Sequence, residues 1–153
     1  MPISGQAQSR IQNHAVFFAL TACSWVPHWT CHYFRLGTNS SFIVADWTFT
    51  KLHSEISLAC YAVLVALNIL AIVRTGLRLF AAGLSGVGHT CIGALHLFRL
   101  VRPFPFLILG QPWSLTASAI QAGILLPYGI LCLAIAFNLN RGRLVSSPDS
   151  RTV

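Results

Sequence analysis

The sequence of 153 residues has few charged side chains, and almost none of them are acidic. Only 8% of the residues are charged, and Asp46, Glu55 and Asp149 are the only carboxylate side chains. Soluble domains carry about 25% charged residues, so the composition excludes a cytosolic enzyme and a disordered tail. The ten Lys and Arg residues bracket apolar segments and form no basic stripe, which argues against a nucleic-acid partner.

Short motifs that identify a chemistry are also missing. The chain has no P-loop, no G-x-G-x-x-G fingerprint, no H-E-x-x-H helix and no G-x-S-x-G elbow. Its five cysteines contain no C-x-x-C pair, so no disulfide framework is indicated. No internal repeat is visible among dissimilar apolar segments, which argues against a transporter built from inverted repeats.

Four long uncharged runs make up most of the chain. They cover residues 11–34, 56–73, 79–98 and 103–140. A helix needs about 20 apolar residues to cross a bilayer, and the prolines before Trp113 argue against a helix at the start of the last run. The sequence therefore predicts four transmembrane helices, at about 11–34, 56–73, 79–98 and 113–137.

The predicted fold is all-α, an antiparallel bundle of four transmembrane helices in one domain, residues 1–140, followed by a polar tail, residues 141–153. A loop of 21 residues, 35–55, joins the first two helices, and its β-branched and aromatic middle predicts a hairpin near 41–50. Residues 103–112 are expected to form an interfacial or re-entrant loop. Pro27 is expected to kink the first helix.

The distribution of basic residues predicts an orientation in the membrane. Six basic residues lie on the side of the termini and four lie on the other side. Because basic residues are enriched in cytoplasmic loops, both termini are expected on the cytoplasmic side of a bacterial inner membrane or an organellar membrane. Small residues on the third helix, among them Gly86 and Gly93, are expected to permit close approach of a neighbouring helix.

Polar side chains collect at one end of the predicted bundle, which we call the loop face because it carries the loops 35–55 and 99–113. A helix rises 1.5 Å per residue, and counting from the charged ends places several polar residues at one depth. His89 lies near mid-membrane, where an ionisable group is a functional candidate by default. The predicted binding residues are His28, His32, His96, His89, Tyr61 and Gln121.

Three functions from different classes fit this cluster. The favoured one is a non-catalytic subunit or scaffold of a larger membrane complex, whose partners are the lipid bilayer and other membrane subunits. The second is a protein that binds haem or a chlorophyll-type pigment through His96 with His32 or His28, since imidazole is a good ligand for haem iron. The third is a metal or acid–base enzyme at the membrane surface, with His28, His32 and Glu55 as ligands.

Overall fold

The computed structural model describes residues 5–146, which are mostly helical. Three of the four helices in this part of the chain, α2, α3 and α4, are long and apolar enough to cross a membrane. This agrees with an integral membrane protein. The helices are α1 (Gly5–Thr38), α2 (Lys51–Val73), α3 (Arg78–Val101) and α4 (Leu115–Ser146), with a 3-10 turn, Thr75–Leu77, between α2 and α3.

Two helices extend beyond their predicted transmembrane segments. Helix α1 runs without interruption through Pro27 to Thr38. Helix α4 continues to Ser146 and so includes the start of the predicted polar tail. The rest of that tail, 147–153, lies outside the described residues.

A small sheet covers the loop face of the mostly helical fold. The predicted hairpin near 41–50 is confirmed, and the segment predicted as an interfacial or re-entrant loop, 103–112, contains a second hairpin. All neighbouring strands are antiparallel, in the order β2-β1-β3-β4. Strand pairing satisfies backbone groups that would be costly to leave unpaired near lipid. The strands are β1 (Ile43–Val44), β2 (Trp47–Thr48), β3 (Phe106–Ile108) and β4 (Gln111–Pro112).

The chain is built from two copies of one helix–hairpin–helix unit, offset by 64 residues. Strand β4 and helix α4 begin 64 positions after β2 and α2. The hairpin turns contain Ala45 and Leu109, also 64 apart, with φ angles of 54° and 53°. Such left-handed backbone is uncommon outside glycine, so its occurrence at equivalent positions supports the repeat. We call α1-β1-β2-α2 the first repeat and α3-β3-β4-α4 the second.

A pseudo-twofold axis relates the two repeats. In the central strand pair, Ile43 lies opposite Leu107, its own equivalent, so the axis passes between these two residues. Helices α1 and α3 both lead into the sheet, and α2 and α4 both leave it. The axis therefore runs along the helices, as in membrane proteins with parallel repeats, and the sheet lies across the end of the bundle.

The prediction that the chain has no internal repeat was wrong, and the signal that could have revealed it is short. The segment His32-Tyr33-Phe34-Arg35-Leu36 corresponds to His96-Leu97-Phe98-Arg99-Leu100. Four of these five positions are identical, and Ser54 matches Ser118 further along. Most other positions differ, because one apolar side chain can replace another where a helix faces lipid.

Hydroxyl groups at equivalent positions of the two repeats form hydrogen bonds between the repeats in the bundle interior. Thr21 Oγ1 of α1 lies 2.7 Å from the Tyr128 hydroxyl of α4. Its equivalent, Ser85 of α3, accepts a hydrogen bond of 2.9 Å from Asn68 Nδ2 of α2. Each bond joins one repeat to the other, and hydrogen bonds between helices stabilise the packing of membrane helices.

Candidate functional site

A partly open cavity of about 280 Å³ lies beneath the sheet. Five of the six predicted binding residues line it, namely His28, His32, His96, Tyr61 and Gln121. The remaining lining residues are mostly apolar or aromatic: Pro27, Cys31, Phe42, Val44, Phe49, Ser57, Ile92, Leu95, Phe106, Ile108 and Trp113. This combination of apolar walls with a few polar groups is typical of small-molecule sites.

The cavity lies on the pseudo-twofold axis. Fourteen of its sixteen lining residues form seven pairs that are 64 positions apart, and only Pro27 and Tyr61 have no partner in the lining. Both repeats thus contribute the same structural positions to the walls. The pairs are His28 with Ile92, Cys31 with Leu95, His32 with His96, Phe42 with Phe106, Val44 with Ile108, Phe49 with Trp113, and Ser57 with Gln121.

In the first repeat an arginine, a serine and a histidine form a hydrogen-bonded chain that ends at the cavity. Arg35 Nη1 donates to Ser54 Oγ at 2.6 Å and to the Thr50 carbonyl at 3.1 Å, and Arg35 Nη2 donates to the Phe49 carbonyl. His32 Nδ1 lies 3.3 Å from the same Ser54 Oγ. The guanidinium thereby fixes the end of α1 against the start of α2.

The second repeat has the same arrangement at the equivalent positions. Arg99 Nη1 donates to Ser118 Oγ at 2.7 Å and to the Ser114 carbonyl at 3.1 Å. His96 Nδ1 lies 3.2 Å from Ser118 Oγ. The guanidinium of Arg99 also packs against the Phe106 ring, 5.5 Å from its centroid. We call these two chains the Arg–Ser–His relays.

Each relay contains a serine hydroxyl that can orient its histidine. A guanidinium only donates, so each serine hydroxyl accepts from its arginine. Ser54 Oγ lies 3.3 Å from His32 Nδ1, and Ser118 Oγ lies 3.2 Å from His96 Nδ1. Where the serine donates its hydrogen to Nδ1, the neutral imidazole carries its own hydrogen on Nε2 and presents a donor.

A third donor comes from Trp113, which lines the cavity opposite the equivalent Phe49. Its indole Nε1 is buried and makes no hydrogen bond to any described residue. Buried tryptophan nitrogens usually have a partner, so this N–H is well placed to bind a ligand. Tyr61 and Gln121 add a hydroxyl and an amide, and the lining contains no carboxylate.

His89 lies outside the cavity, in a separate buried cluster deeper in the bundle. Its Nδ1 donates to the Ser85 carbonyl at 2.7 Å, and its Nε2 lies 2.9 Å from Ser24 Oγ. The Trp25 ring packs on it with centroids 4.0 Å apart, and the same ring stacks on Tyr61 of the cavity wall. Because both His89 nitrogens already have protein partners, His89 serves packing between α1 and α3.

The structure does not assemble the predicted metal set of His28, His32 and Glu55. Glu55 is half exposed and lies 4.0 Å from Lys51 on the surface of α2. In the described part of the chain, no group of three or more His, Cys, Asp or Glu side chains is arranged to hold a metal ion.

Haem fits the cavity poorly, although His32 and His96 both line it. The contacts between Nδ1 and the serine hydroxyls are compatible with either imidazole tautomer, so they do not decide whether Nε2 can ligate iron. The volume, about 280 Å³, lies at the lower end of ligand pockets and is smaller than a porphyrin macrocycle. The site is therefore better suited to a small acceptor molecule than to a tetrapyrrole.

Sequence reasoning identified the histidines but missed the groups that orient them. In the sequence alone, Arg35 and Arg99 only mark the ends of uncharged runs, and no pattern distinguishes Ser54 from other small polar residues. The signal was the repeated His-x-Phe-Arg segment, which places an arginine one turn after each histidine. Comparison with protein-family models, with curated proteins and with solved structures found no match.

Proposed function

We propose that this chain is an integral membrane protein that binds a small molecule with hydrogen-bond acceptor groups in the cavity between its two repeats. The observation that carries the proposal is the pairing of the lining: seven equivalent pairs from both repeats surround one cavity. Binding sites of membrane proteins with internal repeats commonly lie where the repeats meet. The acceptor character of the ligand follows from the three N–H donors, His32, His96 and Trp113.

We propose further that α1 is a fourth membrane crossing. Helix α1 is 34 residues long and is the equivalent of α3, which is apolar enough to cross a bilayer. Since the two helices are related by an axis that runs along the bundle, they share one depth. An antiparallel four-helix bundle with both termini on one side follows from this arrangement.

A bulky side chain that fills the cavity should weaken ligand binding without unfolding the protein. Ile92 lines the cavity from α3, so Ile92→Trp is expected to weaken the binding of single-ring fluorinated fragments by at least about tenfold. Fluorine NMR of the protein in lipid nanodiscs measures this binding. The matched control is Val87→Trp on the same helix, where the side chain is 54% exposed and faces lipid. Equal fragment binding by both variants would contradict the proposal.

The indole N–H of Trp113 should contribute to ligand affinity and not to the stability of the fold. Because its Nε1 has no hydrogen-bond partner among the described residues, Trp113→Phe removes no internal hydrogen bond. We expect a melting temperature within a few degrees of the parent and fragment binding weaker by about 1 kcal/mol, the usual net value of one hydrogen bond. Unchanged affinity together with a large loss of thermal stability would assign Trp113 a structural role only.

The sequence-based prediction of a non-catalytic subunit in a larger membrane complex is compatible with a ligand site and stays a prediction. Gentle extraction from the native membrane checks it. Recovery of the lone chain or its homo-oligomer under all mild conditions would contradict a subunit role, while leaving the ligand site untouched.

A further inference from the structure

Two buried positive charges lie directly behind the cavity, and no carboxylate of the described residues pairs with them. Arg35 is 9% exposed and Arg99 is 7% exposed. Both guanidiniums donate to carbonyl and hydroxyl oxygens, which are neutral. The ion pair recorded within residues 5–146 joins Lys51 to Glu55 on the surface. Buried charges in proteins are normally paired, so the region of the cavity has an uncompensated positive potential.

Each Arg–Ser–His relay connects a buried guanidinium to a histidine in the cavity wall. Each arginine donates to its serine. In the tautomer that carries the imidazole hydrogen on Nε2, each serine donates in turn to its histidine, so successive hydrogen bonds polarise one another in the same direction. The Nε2–H groups of His32 and His96 therefore become stronger donors than those of isolated neutral imidazoles. No carboxylate among the lining residues opposes them.

Resting on the proposed function, we propose that the ligand is an organic carboxylate with a small apolar body. Its two equivalent oxygens match the two equivalent donors, His32 Nε2–H and His96 Nε2–H, and its charge compensates the buried guanidiniums. The apolar body fits walls such as Phe42, Phe106 and Ile108. A neutral quinone also offers two acceptor oxygens, but it would leave both positive charges uncompensated.

An isosteric pair of probes tests the charge. 4-Fluorobenzoate and 4-fluorobenzamide have the same size and ring, and only the first carries a negative charge. We expect the benzoate to bind the full chain in nanodiscs of neutral lipid at least about tenfold more tightly than the benzamide, because charge-assisted hydrogen bonds are about twice as strong as neutral ones. Fluorine line widths at increasing probe concentration give both dissociation constants.

Substitutions of His96 and Lys51, which both lie on the loop face, test where the carboxylate of the benzoate binds. His96→Leu removes a donor and should weaken benzoate binding at least about tenfold, and His96→Gln, which keeps an N–H, should recover part of the affinity. Lys51→Gln is the matched control, because it removes a positive charge from the same face, where the side chain is 75% exposed. It should leave benzoate binding unchanged.

Other results would contradict the carboxylate assignment alone or both proposals together. If the benzamide binds as tightly as the benzoate, or if 2,3-dimethoxy-5-methyl-1,4-benzoquinone displaces both more strongly, the carboxylate assignment is wrong while the cavity function stands. If none of the probes binds, both proposals fail. If Lys51→Gln abolishes benzoate binding and His96→Leu does not, the anion adsorbs at the surface and the carboxylate assignment is again wrong.

Discussion

Replacing Arg99 by alanine is expected to lower the free energy of unfolding by at least about 1.5–3 kcal/mol, the usual contribution of one hydrogen bond to a charged group. The side chain donates to the carbonyls of Phe104, Trp113 and Ser114 and to the Ser118 hydroxyl. Alanine leaves these four oxygens without their donor in a region where water competes poorly. The free energy can be measured by reversible unfolding in mixed micelles.

The neighbouring residue Arg102 supplies the control for Arg99. Arg102 has an exposed side chain on the same face, so Arg102→Ala should change the free energy of unfolding by less than about 0.5 kcal/mol. Arg35→Ala should also be destabilising but less so than Arg99→Ala, because Arg35 makes three of the four equivalent bonds and its Nε has no partner among the described residues. If Arg99→Ala lowers the free energy of unfolding as little as Arg102→Ala does, the relay does not stabilise the second repeat.

Replacing Gly129 by leucine is expected to separate α3 from α4. A Cβ atom at this position would lie 2.4 Å from Thr90 Oγ1, 2.7 Å from the Thr90 nitrogen and 3.0 Å from the Gly86 carbonyl oxygen. Two of these atoms belong to the backbone of α3 and can move only if the helix moves. We expect a loss at or above the upper end of the roughly 1–3 kcal/mol that overpacking costs, seen as a lower melting temperature.

Gly123 lies on the same helix and offers a matched comparison. Among the described residues, no atom of another helix lies within 4 Å of a Cβ built there, so Gly123→Leu should change stability by no more than about 0.5 kcal/mol. Similar destabilisation by both substitutions would point to a general effect of leucine in α4. It would contradict close packing of α4 against Gly86 and Thr90.

The predicted role of small residues in the third helix is confirmed, since Gly86 and Gly93 both approach backbone atoms of α4 closely. The depth argument for the histidines also led to residues that share one cavity, because helical rise converts position in the sequence directly into height. His89 differs from the other histidines in depth, since it lies seven residues and about 10 Å below His96 along α3. Its nitrogens bond to α1 and to its own helix, and it does not line the cavity.

The second hairpin could not be predicted from its own residues. Pro103, Pro105 and Pro112 remove backbone donors and are uncommon within central strands, so the local sequence favoured an irregular loop. Pairing of β3 with β1 from the other repeat stabilises the hairpin. The same pairing stabilises the turn at Ala45, whose backbone nitrogen donates to the Pro105 carbonyl at 2.8 Å although alanine is a poor residue for a left-handed conformation.

The sequence by itself determined that the chain is a helical membrane protein, because hydropathy and the length of each apolar run are local properties that a bilayer selects directly. It also determined which end of the bundle carries the polar side chains. Only the tertiary structure decided that two repeats surround one cavity. Because any apolar side chain can face lipid, sequence identity between the repeats is limited mainly to residues that form hydrogen bonds with one another. The positions of Arg35 and Arg99 behind their histidines depend on contacts between helices, and no periodicity within one helix specifies such contacts.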